Sequence, residues 1–304
     1  MALRPYPPAE HILRDLDLEV EVRPDATASA WLPVSPHLLA ANGGVHAGVL
    51  AILVDIVGGA IATRVLYPDR TATADLQLQL LRPTTGPEVE ARVSVLRRGR
   101  TTLVLEVVLL DAPGGRLGGE GPPNAWATMT YAVLPRTDDP PLMQPLPAQA
   151  ERTTIGPALL SQPVLEAIGL EMGDPGSDRV TLPLGAYVAN TFGALQGGVM
   201  ALLGAAAGSS AIEGVLGLPR GAVSTVDLQV AYVAMGRVGP IVSEPDTAMI
   251  DTGPDTAMID TGPDTAMSQP ASGTDGQLGT VIRLVDRGAD DRLVAVVQVA
   301  AVSR

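Results

Sequence analysis

Residues 42–64 read NGGVHAGVLAILVDIVGGAIATR, and from Ala47 to Thr63 the stretch is apolar nearly all round with a single carboxylate, Asp55, at its middle. A helix that is apolar on every side is buried rather than laid on a surface. Burying an unpaired carboxylate is costly, so Asp55 requires a hydrogen bond, a partner charge or water; the position marks either chemistry or a solvated niche with a satisfying hydroxyl. A second polar residue, His46, stands at the helix start behind Gly43 and Gly44 and precedes Asp55 by nine residues. At about 100° per residue that spacing is roughly 900°, half a turn out of alignment, with an axial rise of about 13.5 Å. The two side chains cannot share one site. If both act, each faces a different pocket and takes its partner from another copy of the helix.

The flanking sequence predicts strands. Residues 17–34 alternate in part and include WLPV, Trp31–Val34, a first strand leading into the Gly-rich turn, and Pro68 closes the helix. TADLQLQLLRP from Thr73 alternates Leu with polar residues, Glu88–Leu96 continues the pattern, RRGR at 97–100 makes a hairpin turn, and Thr101–Asp111 and Asn124–Leu134 complete the set. The half is therefore expected as strand, helix, then four antiparallel strands.

The same pattern then begins again. Leu32-Pro33 returns as Leu182-Pro183 and VHAGVLAIL as LQGGVMALL, both at a shift of 150, with Gln196 in place of His46. TADLQLQLL returns as TVDLQVAYV at a shift of 152, with Asp227 in place of Asp75. Three collinear matches predict an internal duplication. We expect a first domain over 1–137, a Pro-rich linker over 138–157, and a second domain over 158–304 that opens on a short helix at Val164–Leu170. The second half is interrupted by PDTAMIDTG at 245–253 and 254–262 and by PDTAM at 263–267. This reads as a low-complexity insertion over about 245–275, too polar to form a core. Matching Asp286 to Asp111 completes the last strands on the far side of the insertion; matching Arg287-Gly288 to Arg98-Gly99 would keep the hairpin turn and lose the last strand, so the first alignment is preferred.

Composition narrows the function. Among 304 residues, 46% are hydrophobic and only 3% aromatic, so the core is aliphatic. The absence of Cys excludes disulfides and cysteine nucleophiles, and three His argue against a metal cluster. A net charge of −13 disfavours nucleic acid and anionic membrane surfaces as partners, and all 20 basic residues are Arg. Residues 47–66 and 193–218 have the length of membrane spans but carry Asp55, Arg64 and Glu213, and the N-terminus lacks the apolar segment of a secretory signal. Buried helices in a cytoplasmic protein are expected.

A buried helix wrapped by an antiparallel sheet, duplicated, with a Gly-rich turn, a His at the helix start and Asp nine residues on, resembles the hotdog-fold acyl-CoA thioesterases of the PaaI-like family. Their motif runs Asn, five residues, then His-Gly-Gly, with the carboxylate nine after the His and a Ser or Thr early in the next strand. The resemblance implies an α+β chain of two tandem hotdog domains forming an intrachain pseudo-dimer. It also implies an active site that combines the helix start of one half with the carboxylate of the other. Each half departs from the motif. In the first, Ala47 replaces the first Gly and Ala40 stands where Asn belongs; in the second, Asn190, Gly197 and Gly198 are in register, yet Gln196 replaces His and Ala205 stands at the carboxylate position. One composite site is then complete, with Asp55 and Thr73 from the first half and Asn190, Gln196 and Gly197 from the second. His46, Ala47 and Ala205 mark a vestigial counterpart.

The resemblance implies hydrolysis of an acyl-CoA thioester with no cofactor, coenzyme A being part of the substrate. Asp55 would act as base or nucleophile, Asn190 and Thr73 would orient water or the carboxylate, and the Gly197 N–H at a helix N-terminus would polarise the carbonyl. Arg97, Arg98 and Arg100 are candidate phosphate ligands or simply a solvated turn, and Gly198 leaves room for substrate. Asp75 and Asp227 are expected to be structural. A non-catalytic acyl-CoA or acyl-group binding protein is the alternative; a hydratase is disfavoured because the complete site has Gln where those enzymes use His. Self-association through surfaces outside the internal pair is expected.

Overall fold

The computed structural model describes residues 6–134, 144–156, 159–173, 179–250, 257–259 and 278–303. The first half runs α1 (Ile12–Asp15), β1 (Leu18–Val22), β2 (Ala28–Pro33), α2 (Ala47–Val65), β3 (Arg70–Leu80), β4 (Glu88–Arg98), β5 (Thr102–Ala112) and β6 (Ala125–Leu134). After β7 (Glu151–Ile155) and α3 (Val164–Ala167), the second half runs β8 (Glu171–Met172), β9 (Val180–Leu182), α4 (Gly197–Leu216), β10 (Val223–Tyr232), β11 (Ile241–Ile250), β12 (Ala257–Ile259), β13 (Leu278–Asp286) and β14 (Arg292–Ser303).

The chain is a mixed α/β fold built on one fourteen-stranded antiparallel sheet. Its order is β7-β1-β2-β4-β5-β6-β3-β10-β14-β13-β11-β9-β8, with β12 paired to β11. Outward from the central β3–β10 pair, each side lists its strands in the same sequence. The register at the centre is self-complementary: Gln77 faces Gln229, its own counterpart in the repeated segment, with Leu76 opposite Val230 and Leu78 opposite Leu228. Such pairing is what a two-fold-related contact requires. The inward row of β6, Ala125, Ala127, Met129 and Tyr131, is buried, as period-two alternation over a helix demands.

Both long helices satisfy the length and apolarity of a membrane span, and 72% and 78% of their most apolar windows are buried inside the fold. They bury those surfaces against the sheet and against each other. Gly48 of α2 lies under Leu202 and Gly198 of α4 lies under Ile52; a Cβ on either glycine would stand 2.5 Å from the facing Cα. The two contacts are reciprocal and bring helix backbones together at their N-terminal turns.

Two expectations need correction. The stretch expected as linker contains β7, which pairs with β1 at the sheet edge, Glu21 opposite Arg152. Its ERTTI sequence has no apolar alternation, and its side chains are mostly exposed; ion pairs from Arg152 to Glu19 (3.1 Å) and Glu21 (2.7 Å) join it to an otherwise open edge. The repeat likewise does not begin outside the sheet: backbone pairing carries β11 through Pro245–Ile250 opposite β13, and β12 comes from the second copy. Backbone hydrogen bonds need no apolar side chains, so composition did not expose this. The rest of the expected insertion lies outside the described residues. At the far side of it, Asp286 accepts hydrogen bonds from the amides of Arg237, Val238 and Gly239, as Asp111 does from Thr85 and Gly86. The two carboxylates close corresponding turns, which is the arrangement the preferred alignment requires.

Gly→Ala within a helix stabilises by up to about 1 kcal/mol, and less in the first turn where Gly48 and Gly198 stand. Here the lost space outweighs that gain, so Gly48→Ala and Gly198→Ala are each expected to cost on the order of 2 kcal/mol in urea unfolding, against less than about 0.5 for Gly185→Ala, whose added methyl meets open space. Equal stability of all three would show that the helices do not depend on this approach.

Candidate active site

The close approach of the helices sets the N-terminus of α4 against the middle of α2. Gln196 caps α4: its side-chain oxygen accepts the Val199 N–H at 2.8 Å, which leaves its amide nitrogen to donate to Asp55 Oδ2 at 2.6 Å. The Gly198 N–H donates to the same oxygen at 3.1 Å. From the carboxylate's own half, Thr73 Oγ1 donates to Oδ1 at 3.1 Å. A β-bulge between Thr73 and Asp75 interrupts the β3–β6 register at this point, a device that re-aims a side chain beside a site. Gly197 completes the fit, since a Cβ there would lie 3.0 Å from Asp55 Oδ2.

Asp55 is 9% exposed. Burial pushes its carboxyl up from 3.8 to about 6, while the hydrogen bonds from Thr73 and Gly198 pull it back toward the ordinary range. The N-terminus of α4 also favours the anion through its dipole. The carboxylate is thus ionised above about pH 6 yet basic enough to accept a proton near neutrality.

Two tyrosines escaped the sequence reading. Tyr131 Oη lies 3.4 Å from the Asp55 carbonyl oxygen, and Tyr232 donates to the Gly197 carbonyl oxygen at 3.0 Å. Burial raises both phenols well above their usual range, so both stay protonated. Alternation places them on the inward rows of β6 and β10, but only the tertiary arrangement sets them beside α2 and α4.

The remaining candidates are less central. Asn190 uses its side-chain oxygen within its own loop, accepting from Phe192 N at 2.9 Å and Ala194 N at 3.1 Å, and so shapes the turn before Gln196. The Gly197 N–H is engaged by neither Asp55 nor Gln196. Arg97, Arg98 and Arg100 are exposed on the β4–β5 hairpin. Arg98 stands in line with Leu103, Tyr131 and Thr73, three strands from Thr73 and on the order of 14 Å away. Among the described residues no group of three His, Asp or Glu side chains could hold a metal.

The counterpart position is built from the same elements with different side chains. His46 caps α2, its Nδ1 accepting the Gly48 N–H at 3.1 Å, and burial lowers its imidazole to about 4. Ala205 supplies no carboxylate there, and Thr225, at a bulge matching that of Thr73, lies 3.2 Å from Ser209 Oγ instead. Ala47 and Ala205 are a compatible pair: the Cβ that Gly197 must lack beside Asp55 is harmless where no carboxylate stands.

Residues 42–117 match the family model described as Thioesterase superfamily. A Saccharolobus solfataricus protein named "Putative esterase SSO2140" is 29% identical over 112 residues, covering 37% of this chain and 79% of that protein. The fold is similar to that of a "putative thioesterase" from Novosphingobium aromaticivorans, with a TM-score of 0.55, 16% identity and coverage of 93% of this chain and 98% of that one. It is also similar to an acyl-ACP thioesterase from Bacteroides thetaiotaomicron, with a TM-score of 0.50, 14% identity and coverage of 91% and 98%.

Raising the folded-state value of Asp55 to about 6 means that stability declines as pH climbs from about 4 through 6, because the unfolded chain releases this proton first. Asp55→Asn removes that loss. It is expected to be more stable than the parent by on the order of 3 kcal/mol at pH 8 and nearly equally stable at pH 4, as read from urea unfolding at the two pH values. A parent protein whose stability rises over this range relative to the variant would contradict the buried, destabilised carboxylate.

Proposed function

We propose that the protein hydrolyses an acyl-CoA thioester to the free acid and coenzyme A at one composite site between two tandem hotdog halves that together form an intrachain pseudo-dimer. The reading rests on one observation above the others: a buried carboxylate, raised to about 6, hydrogen-bonded by Thr73 of its own half and by Gln196 and Gly198 of the other. The thioesterase family match over 42–117 and the likeness of the whole fold to thioesterase structures support it.

The chemistry follows from these groups. Asp55 takes a proton from water as the water oxygen attacks the thioester carbon. The resulting oxyanion is met by the free Gly197 N–H at the positive end of α4, and collapse breaks the carbon–sulfur bond as the proton passes from Asp55 to the departing thiolate. In the direct variant, Asp55 attacks the carbonyl and the carbon–sulfur bond breaks to release the coenzyme A thiolate; water then cleaves the mixed anhydride, regenerating Asp55 and releasing the acid, and a proton from that water passes to the thiolate. Gln196 acts by orienting the carboxylate, because an amide cannot carry the proton itself. The opposing reading, a protein that binds acyl groups without turnover, draws on the same site: three donors already engage Asp55.

Free-thiol release from a panel of acyl-CoAs separates the two. The parent is expected to turn over at least one member, with kcat/KM rising through about pH 6 as Asp55 ionises, and Asp55→Asn to lose about 100-fold or more. Thr73→Ala, which removes one of several donors, is expected to lose less. Full activity in a folded Asp55→Asn protein would reject the mechanism. Tight acyl-CoA binding by the parent without thiol release would establish the binding protein.

A further inference from the structure

One cavity among the described residues opens away from Asp55. It lies at the counterpart position, encloses about 270 Å³, and is walled by His46 and Ala47 of α2, by Ser209 and Glu213 of α4, and by Ser224 and Thr225 of β10. Its volume is near the lower end of small-molecule pockets, enough for a short acyl group.

The polar groups around this space favour one kind of ligand. His46 commits Nδ1 to the Gly48 amide, which leaves Nε2–H as a donor on an uncharged ring. Ser224 lines the cavity and is 8% exposed, and its hydroxyl oxygen is buried without a hydrogen-bond partner, an arrangement that costs about 1–3 kcal/mol. Ser209 and Thr225 share one hydrogen bond between two hydroxyls, so one proton remains to be donated. The one carboxylate, Glu213, accepts the Val223 amide at 3.3 Å and also draws on the amides of Gly221 and Ala222. Burial raises the Glu213 carboxyl; Arg220 also lines the cavity and draws it back down, so the two opposite charges sit together, and the donors of His46 and the hydroxyls suit a neutral oxygen acceptor. Leu39, Val45, Leu80, Leu165, Met172 and Ala206 provide the apolar wall.

We propose that this second composite position is a binding site for an intact acyl thioester, which it holds by its carbonyl oxygen and short alkyl chain and does not hydrolyse. The inference rests on the thioester reading given above and extends it: each chain carries two thioester sites, one that turns over and one that only binds. Retention follows from the residue types, since no carboxylate occupies the Ala205 position and His46 is tied to its own helix through Nδ1.

Equilibrium titration of the full chain with hexanoyl carba(dethia)-CoA, in which a methylene replaces the thioester sulfur and hydrolysis is impossible, tests this directly. Two analogues per chain are expected. Ser224→Val should weaken one of the two by about tenfold or more and leave the affinity of the other unchanged, while Asp55→Asn should alter only that other one. Should Ser224→Val fail to fold by circular dichroism, Ser209→Ala is expected to weaken the same class. One analogue per chain, none, or two that respond to neither serine variant would overturn the proposal. Thiol release is measured separately. Turnover with a stoichiometry of one sinks the second site and leaves the hydrolase standing; a stoichiometry of two without turnover does the reverse.

Discussion

The contact on which the molecule depends is the approach of two helix backbones at Gly48 and Gly198. Neither position has room for a single extra carbon, and together they fix both the distance and the stagger of α2 against α4. That stagger brings the first turn of α4 to the level of Asp55. An N-terminal turn offers unpaired amides and a partial positive charge, and a buried carboxylate requires both. Packing and site therefore share one cause: the glycines that let the helices meet also place Gly198 N within 3.1 Å of the Asp55 carboxylate.

The same geometry, applied twice, has different outcomes because of a few substitutions. Asp55 opposite Gly197 leaves little space for a side chain at residue 197, while a cavity opens beside His46 and Ala47 at the other position. The bulges at Thr73 and Thr225 are retained on both sides, yet one hydroxyl meets a carboxylate and the other meets Ser209. Restoring a carboxylate at 205 would press it against the Ala47 methyl and bury it without the second-half donors that serve Asp55, so the two positions cannot be interchanged by one mutation.

The balance at Asp55 is narrow by construction. Burial raises the carboxyl, and the hydrogen bonds from Thr73 and Gly198 to its anion lower it. With both, it titrates near the pH at which a general base is most effective, at a cost to stability that the tight helix pair must offset.

Much of this was open to the sequence. The all-round apolarity of residues 47–63 required a buried helix, the alternation after Thr73 required strands, and the half-turn between His46 and Asp55 required that the carboxylate find its partner on another helix. All three follow from local periodicity and from the cost of burying charge, quantities that a linear sequence carries. Other features depend on neighbours distant in the chain. That Gln196 turns its amide nitrogen to Asp55, that Tyr131 and Tyr232 flank it, that ERTTI and the first copy of the repeat extend sheet edges, and that open space lies beside His46 were decided only by tertiary structure. Backbone pairing accepts nearly any side chain and a cavity is defined by what surrounds it, so neither leaves a period in the sequence.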